Sequence, residues 1–216
     1  MATITALTAQ KKNANRVNLF LDDQFAFGLE TAVAIHLRVG QILSETDIAA
    51  LQDQEKTEQA RANALNLLTY RPRSVAEIRQ HLHKKEFDDA AIDQVIARLQ
   101  AVELLDDKAF ARYWVEQRET FKPRSHMALR QELRNKGVDR SVIDTVLEDV
   151  DETAAARRVA AKQSYRWATL PKKEFQVKLG QFLQRRGFPY MIITEITNET
   201  WQSLATGSED NYTELH

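Results

Sequence analysis

Cysteine does not occur once in the 216 residues. Disulfides and thiolate metal sites are therefore excluded, and the composition fits the reducing cytoplasm, where the chain is expected. Glycine and proline are sparse, at six and four. The glycines are scattered, so no Walker-type or dinucleotide-binding loop is expected. No apolar run approaches the ~20 residues that span a bilayer, and the first residues carry no secretory pattern, so neither a membrane anchor nor export is expected. An excess of one charge is missing too: 30 Lys and Arg meet 31 Asp and Glu. With 43% hydrophobic and 28% charged residues, the composition is that of a folded chain and excludes general disorder.

What the chain has instead is repetition. Tyr70-Arg71-Pro72-Arg73-Ser74 returns 51 residues later as Phe121-Lys122-Pro123-Arg124-Ser125, and the following residues stay in register. Ile78 and Leu82 match Leu129 and Leu133, Lys85 matches Lys136, and Asp88, Ile92, Asp93 and Val95 match Asp139, Ile143, Asp144 and Val146. A fainter copy lies 50 residues further on, where Leu129, Leu133, Gly137, Ile143 and Val146 become Leu179, Leu183, Gly187, Ile193 and Ile196. Self-similarity at such a period marks a repeat architecture.

Each repeat reads as three short helices. In the first, Ala60, Ala64, Leu67 and Leu68 form an apolar stripe that Pro72 must end. Ser74 with Glu77 makes a capping box for a helix carrying Ile78 and Leu82. Ile92, Val95, Ile96 and Leu99 lie at helical spacing on the third helix. In the second repeat Asp106 can cap a helix with Phe110, Tyr113 and Trp114 on one face. Gly137 and Gly187 suit left-handed C-caps. Only the N-terminal stretch reads as β: Val17, Leu19 and Leu21 alternate, Asp22-Asp23 offers a turn, and Phe25, Phe27 and Leu29 alternate again, with Thr3–Thr8 as a candidate third strand. The simplest reading of its aromatics is hairpin core. Helical stretches are expected near Glu30–Leu37 and Thr46–Gln54.

The expected organisation is thus mainly α. A small α+β segment (1–55) precedes three-helix repeats at 56–105, 106–152 and 153–201 in an elongated array, and an acidic, disordered tail (202–216) follows. Charge is distributed unevenly over these segments. Residues 153–201 carry nine bases and three acids, whereas 1–55 carry four bases and seven acids. One basic repeat on a neutral chain suggests a polyanionic partner.

No constellation for catalysis stands out. His81 and His83 are two apart on a helix, hence on different faces, and His36, His126 and His216 have no partners in sequence that would make a metal cluster. Asp88-Asp89 and Asp106-Asp107 fall at helix starts, where capping explains them. No enzyme activity, metal or cofactor is expected. The binding candidates are Arg157, Arg158, Lys162, Arg166, Lys172, Lys173, Lys178, Arg185 and Arg186, which could meet phosphates or an acidic protein surface. The alternative for them is a solvated helical face. Arg71, Arg73, Lys122 and Arg124, in the repeated proline loop, are secondary candidates that fit a structural role better. Trp114 with Tyr113, and Tyr165 with Trp167, could stack on bases but fit core positions.

These residues resemble those of the RecX family, modulators of the RecA recombinase. The resemblance rests on the Arg-Ser helix starts (Arg73-Ser74, Arg124-Ser125) and the Leu-Asp-Asp-x-x-Phe-Ala junction from Leu105 to Ala111. The Leu-x-x-Lys-Gly-Val and Leu-x-x-Arg-Gly-Phe endings (Leu133 to Val138, Leu183 to Phe188) complete it. Glu86 stands where the later repeats have glycine, a departure that leaves that one cap open. The resemblance implies tandem three-helix repeats lying in the groove of a RecA–single-stranded-DNA filament. It also implies inhibition of filament extension, ATP hydrolysis, strand exchange and repressor cleavage. The expected partner is the RecA filament, with single- or double-stranded DNA as a further candidate, for a monomer. A helix-turn-helix regulator that binds DNA directly is the alternative, although 189–197 offers no Arg, Lys, Asn or Gln to read bases. A helical-repeat scaffold for another protein is the second alternative.

Overall fold

The computed structural model describes residues 1–11 and 13–213, with side chains up to residue 205. The chain divides into two compact units, Met1–Leu105 and Asp106–His216.

The first unit opens with strands β1 (Ala2–Gln10), β2 (Asn13–Leu21) and β3 (Gln24–Glu30). A two-residue strand β4 (Ile42–Leu43) joins the far edge, giving the antiparallel order β3-β2-β1-β4. Asp22 and Asp23 both take positive φ, 47° and 65°. A two-residue hairpin turn matching strand twist requires this, and short polar side chains tolerate it. The Asp22 carboxylate accepts from the Thr3 N–H, and the Asp23 N–H donates to Thr5 Oγ1, both at 2.9 Å. Ile4, Leu19 and Leu29 bury one face against Val33, Ala34 and Leu43. The expectation that all the aromatics form hairpin core fails at Phe25, which is 59% exposed. A register shift between Leu19 and Phe20 turns the strand there, because a bulge reverses the alternation beyond it.

A one-turn helix α1 (Thr31–Ala34) leads to α2 (Glu45–Leu68), capped by a Ser44–Asp47 box. The two helices expected at 46–54 and from 56 onward are this one helix. Neither Pro nor Gly interrupts residues 45–68, so nothing local ends it. What changes along α2 is its partner. Ile48 and Leu51 pack on the strand core, whereas Ala60 and Ala64 pack with Ile78, Leu82, Ile92 and Leu99 of α3 (Val75–Lys84) and α4 (Asp89–Ala101). Between the two cores lie two buried acids. Glu55 accepts from Arg16 Nη2 (2.7 Å), the Glu30 N–H (2.6 Å) and Gln59 Nε2 (2.7 Å). Glu58 binds Arg61 (2.6 Å) and Arg98 (2.8 Å).

The second unit holds two further three-helix groups. They are α5 (Asp107–Phe121), α6 (His126–Asn135) and α7 (Arg140–Glu148), then α8 (Glu152–Ser164), α9 (Lys172–Gln184) and α10 (Tyr190–Thr213), with a 3-10 turn at Tyr165–Trp167. Each buries its own core, around Phe110, Leu129, Leu133 and Ile143 and around Phe175, Leu179, Leu183 and Ile196. The last helix runs past 201, the expected end of the third repeat, because Trp201 and Leu204 still pack on the last core, Trp201 at 5.3 Å from Phe175. The side chains of the expected disordered tail from 206 onward lie outside the described residues.

The Ser-x-x turn before the second helix recurs as the residues imply. Ser74 Oγ accepts from the Glu77 N–H and Ser125 Oγ from the Ala128 N–H, both at 3.1 Å, and both serines are fully buried. The second helix of every repeat also ends alike. Glu86, Gly137 and Gly187 take φ of 63°, 75° and 89°. Each donates its N–H three residues back, and the next residue donates five back: Phe87 to Leu82, Val138 to Leu133, Phe188 to Leu183. Glutamate therefore holds the same left-handed cap as glycine.

Candidate partner-binding surface

The loop before α6 meets the end of α9. The Ser125 N–H donates to the Arg186 carbonyl (3.2 Å) and Arg124 Nη1 to the Arg185 carbonyl (3.3 Å). In return, Arg186 Nη1 donates to the Pro123 carbonyl at 3.0 Å. Gly187 makes this approach possible, since a Cβ there would stand 2.6 Å from Ser125 Oγ. One residue further on, the His126 N–H donates to Glu152 at 2.9 Å, which ties α6 to the start of α8. These bonds join the second and third repeats through backbone as well as side chains.

Of the secondary candidates, Arg124 is thus taken up by the joint. Arg71 is forked onto Glu77 at 2.9 and 3.0 Å, a structural role inside the first repeat. Arg73 is half-buried near His81. The imidazolium form of His81 is disfavoured by burial first, then by Lys85, Arg73 and Lys84. Lys122 is exposed just past α5.

The nine bases of the third repeat divide among several places. Arg157 pairs with Glu199 at 3.0 Å, and that bond raises its pKa above the ordinary arginine value. Lys172, Lys173 and Lys178 are exposed on α9. Two of them sit in its first turn, where the helix dipole favours anions rather than cations. Arg166 bonds Gln163 at 3.3 Å, and Arg185 lies 5.9 Å from the Phe182 ring.

Arg158, Lys162 and Arg186 do come together. With Glu119, Phe121 and Pro123 they line a cleft of about 110 Å³ beside the joint. Arg158 crosses it to Glu119 at 2.9 Å. Arg186 has no carboxylate partner among the described residues. Its guanidinium stands 4.8 Å over Phe182, and burial, then the charge of Arg124, lower its pKa. A half-buried arginine without an acid, beside an exposed lysine, is a ready anion site.

Among the described residues, no His, Asp and Glu cluster could hold a metal ion, and no helix is long and apolar enough to cross a membrane.

Four family models match most of the chain in succession. The Regulatory protein RecX N-terminal domain covers residues 2–44, and the RecX first, second and third three-helix domains cover 60–99, 106–147 and 149–196. The chain belongs to the RecX family. It is 34% identical over 214 residues to Regulatory protein RecX of Bacillus licheniformis, covering 97% of this chain and 81% of that one. Regulatory protein RecX of Bacillus subtilis is 32% identical over 221 residues, covering 100% and 84%. A crystal structure of regulatory protein RecX aligns with a TM-score of 0.74 at 27% identity, over 92% of this chain and all of that one.

Within the RecX framework, the aromatics fall differently from their sequence expectation. Trp167 packs at 6.0 Å on Phe182, as a core position should. Trp114 is half-buried against Phe110, gives its indole N–H to Glu132 at 2.9 Å, and lies within 5.0 Å of the cations of Arg118 and Lys136. Tyr165, expected as core, is 72% exposed, because it caps α8 where the chain tightens into the 3-10 turn. Phe121 and Glu119, which line the cleft, were not candidates. Phe121 falls seven residues after Trp114 and so belongs to the apolar stripe by spacing. It is nevertheless 77% exposed, since α5 outruns the core it packs on. No periodicity argument marks that difference.

Proposed function

We propose that this chain is a non-enzymatic, monomeric, cytoplasmic regulator that binds the RecA–single-stranded-DNA filament. Binding hinders filament extension and so damps RecA's recombinase, ATPase and coprotease activities, with effects on homologous recombination, DNA repair and the SOS response. The observation that supports this reading is the run of four RecX domains along the chain. Inhibition of this kind requires no catalytic group, because a ligand that prefers one filament state shifts its population. The basic third repeat supplies the electrostatic contact, through exposed lysines that pair with no acid among the described residues.

The test is single-stranded-DNA-dependent ATP hydrolysis by RecA, with this protein added below the RecA concentration. A fourfold reversal, Lys162→Glu with Lys172→Glu, Lys173→Glu and Lys178→Glu, disturbs no ion pair among the described residues. Inhibition at low ratios, weakened about tenfold or more by the reversal, is the expected result. Inhibition that the reversal leaves intact removes the surface but keeps the regulator. A folded protein without effect at any ratio overturns the reading.

A further inference from the structure

In the first two repeats an ion pair crosses from the second helix to the third. Arg79 meets Asp93 at 2.6 Å, and Arg130 meets Asp144 at 3.0 Å. In the register of the repeats, the third has Gly180 and Thr194 at these two positions. With the clasp gone, a groove of about 650 Å³ lies open between α9 and α10. Gly180 falls in the interior of α9, where glycine is less favourable than alanine. Packing does not demand it, since a Cβ there would meet only Ile193 Cγ2, at 3.4 Å. A bare helix backbone in an unclosed groove, at one repeat of three, suits the close approach of another chain.

The lining says what kind of chain. Val177, 51% exposed, and Ile193 give the groove an apolar floor. Carboxamides stand along its walls, Gln181 and Gln184 on α9 and Asn198 on α10. Gln176 donates to Asn198 at 2.6 Å across one end. A carboxamide offers a donor and an acceptor together, which the N–H and C=O of an extended backbone both need. From Lys173 to Gln184 α9 runs about 17 Å, the length of about five extended residues. Lys173 is the one charged group among the described lining residues, and Lys172 and Lys178 are exposed on the same helix. The charge complement is therefore a carboxylate. A nucleic-acid strand would find one cation in the groove, where its backbone needs several.

From this we infer that the α9–α10 groove binds an extended, acidic segment of another protein. An aliphatic side chain of that segment sits over Gly180, and a carboxylate about three residues away meets Lys173. The carboxamides on both walls pair its backbone. The first two repeats cannot bind in this way, because Arg79 with Asp93 and Arg130 with Asp144 occupy the corresponding place. The inference goes beyond the regulator reading and does not rest on it.

The experiment pans random dodecapeptides, displayed on phage, on the immobilised full chain. The selected peptides are then synthesised with a fluorescent label and titrated by anisotropy. The expected motif is an aliphatic residue with Asp or Glu about three positions away. Gly180→Arg with Thr194→Asp rebuilds the clasp of the other repeats and should weaken binding about tenfold or more. Gly180→Ala, the smaller change, should weaken it about threefold while raising the thermal midpoint, which separates lost binding from lost fold. Lys173→Glu should weaken the acidic peptides about fivefold and leave their Asn or Gln counterparts unaffected. Selected peptides without the motif, or binding that the rebuilt clasp leaves intact, would overturn the inference. Displacement of the peptide by oligothymidylate would overturn it too, by making the groove a nucleic-acid site. So would self-association of the wild-type chain that the rebuilt clasp abolishes, since the occupant would then be a second copy.

Discussion

At Glu86 a residue with a full side chain sits at φ 63°, where its two counterparts are glycine. The left-handed region costs a non-glycine residue about 1 kcal/mol. The cap survives because the Glu86 N–H bonds the His83 carbonyl at 2.9 Å and Phe87 anchors the next bond. Glu86→Gly should therefore stabilise the protein by about 0.5–1 kcal/mol, seen as a higher urea midpoint with unchanged slope. Gly187 and Gly40 form a complementary pair, since both have φ of 89°. Around Gly40 nothing lies within 4 Å of a new Cβ, whereas at Gly187 it would meet Ser125 Oγ at 2.6 Å. Gly40→Ala reports backbone strain alone, about 1 kcal/mol, and Gly187→Ala should cost at least ~1 kcal/mol more in the same denaturation series. Some of this was legible in the sequence. The Lys-Gly-Val and Arg-Gly-Phe endings announce a left-handed cap, but that Gly187 also makes room for another repeat's serine depends on a contact 62 residues away.

Among the elements, α2 carries most of what sequence patterning did not reveal. Its apolar residues serve one core at Ile48 and Leu51 and another at Ala60 and Ala64. No single stripe therefore runs its length, and the pattern reads as two helices. No sequence signal marks the buried acids between them. Glu55 is only 5% exposed and satisfies Arg16, Gln59 and the Glu30 N–H at once. Removing one member of such a group leaves the others desolvated and unpaired, so Glu55→Ala should cost about 3 kcal/mol in urea unfolding of the full chain. The short helices were far more legible. Ser74, Asp88, Asp106, Ser125 and Asp139 all accept a backbone N–H at the helix starts where they stand. Side chains that cap do so through bonds two or three residues away, which sequence displays directly.

For the molecule as a whole, the basic character of the third repeat was plain from counting, but its distribution was not. Arg157 and Arg158 are adjacent in sequence, yet one is bound to Glu199 and the other to Glu119. Only the folded chain separates bases that close internal pairs from those left facing outward, which is why the reversals act on lysines. The continuity of α2 carries a further consequence, for how the first unit comes apart. An uninterrupted run of hydrogen-bonded turns frays from its ends rather than from its middle, and here Glu55 and Glu58 fasten the middle to both neighbours. The strand region and the first three-helix group thus open as one cooperative block, and a protease that nicks between Glu55 and Lys56 finds no hinge there to attack.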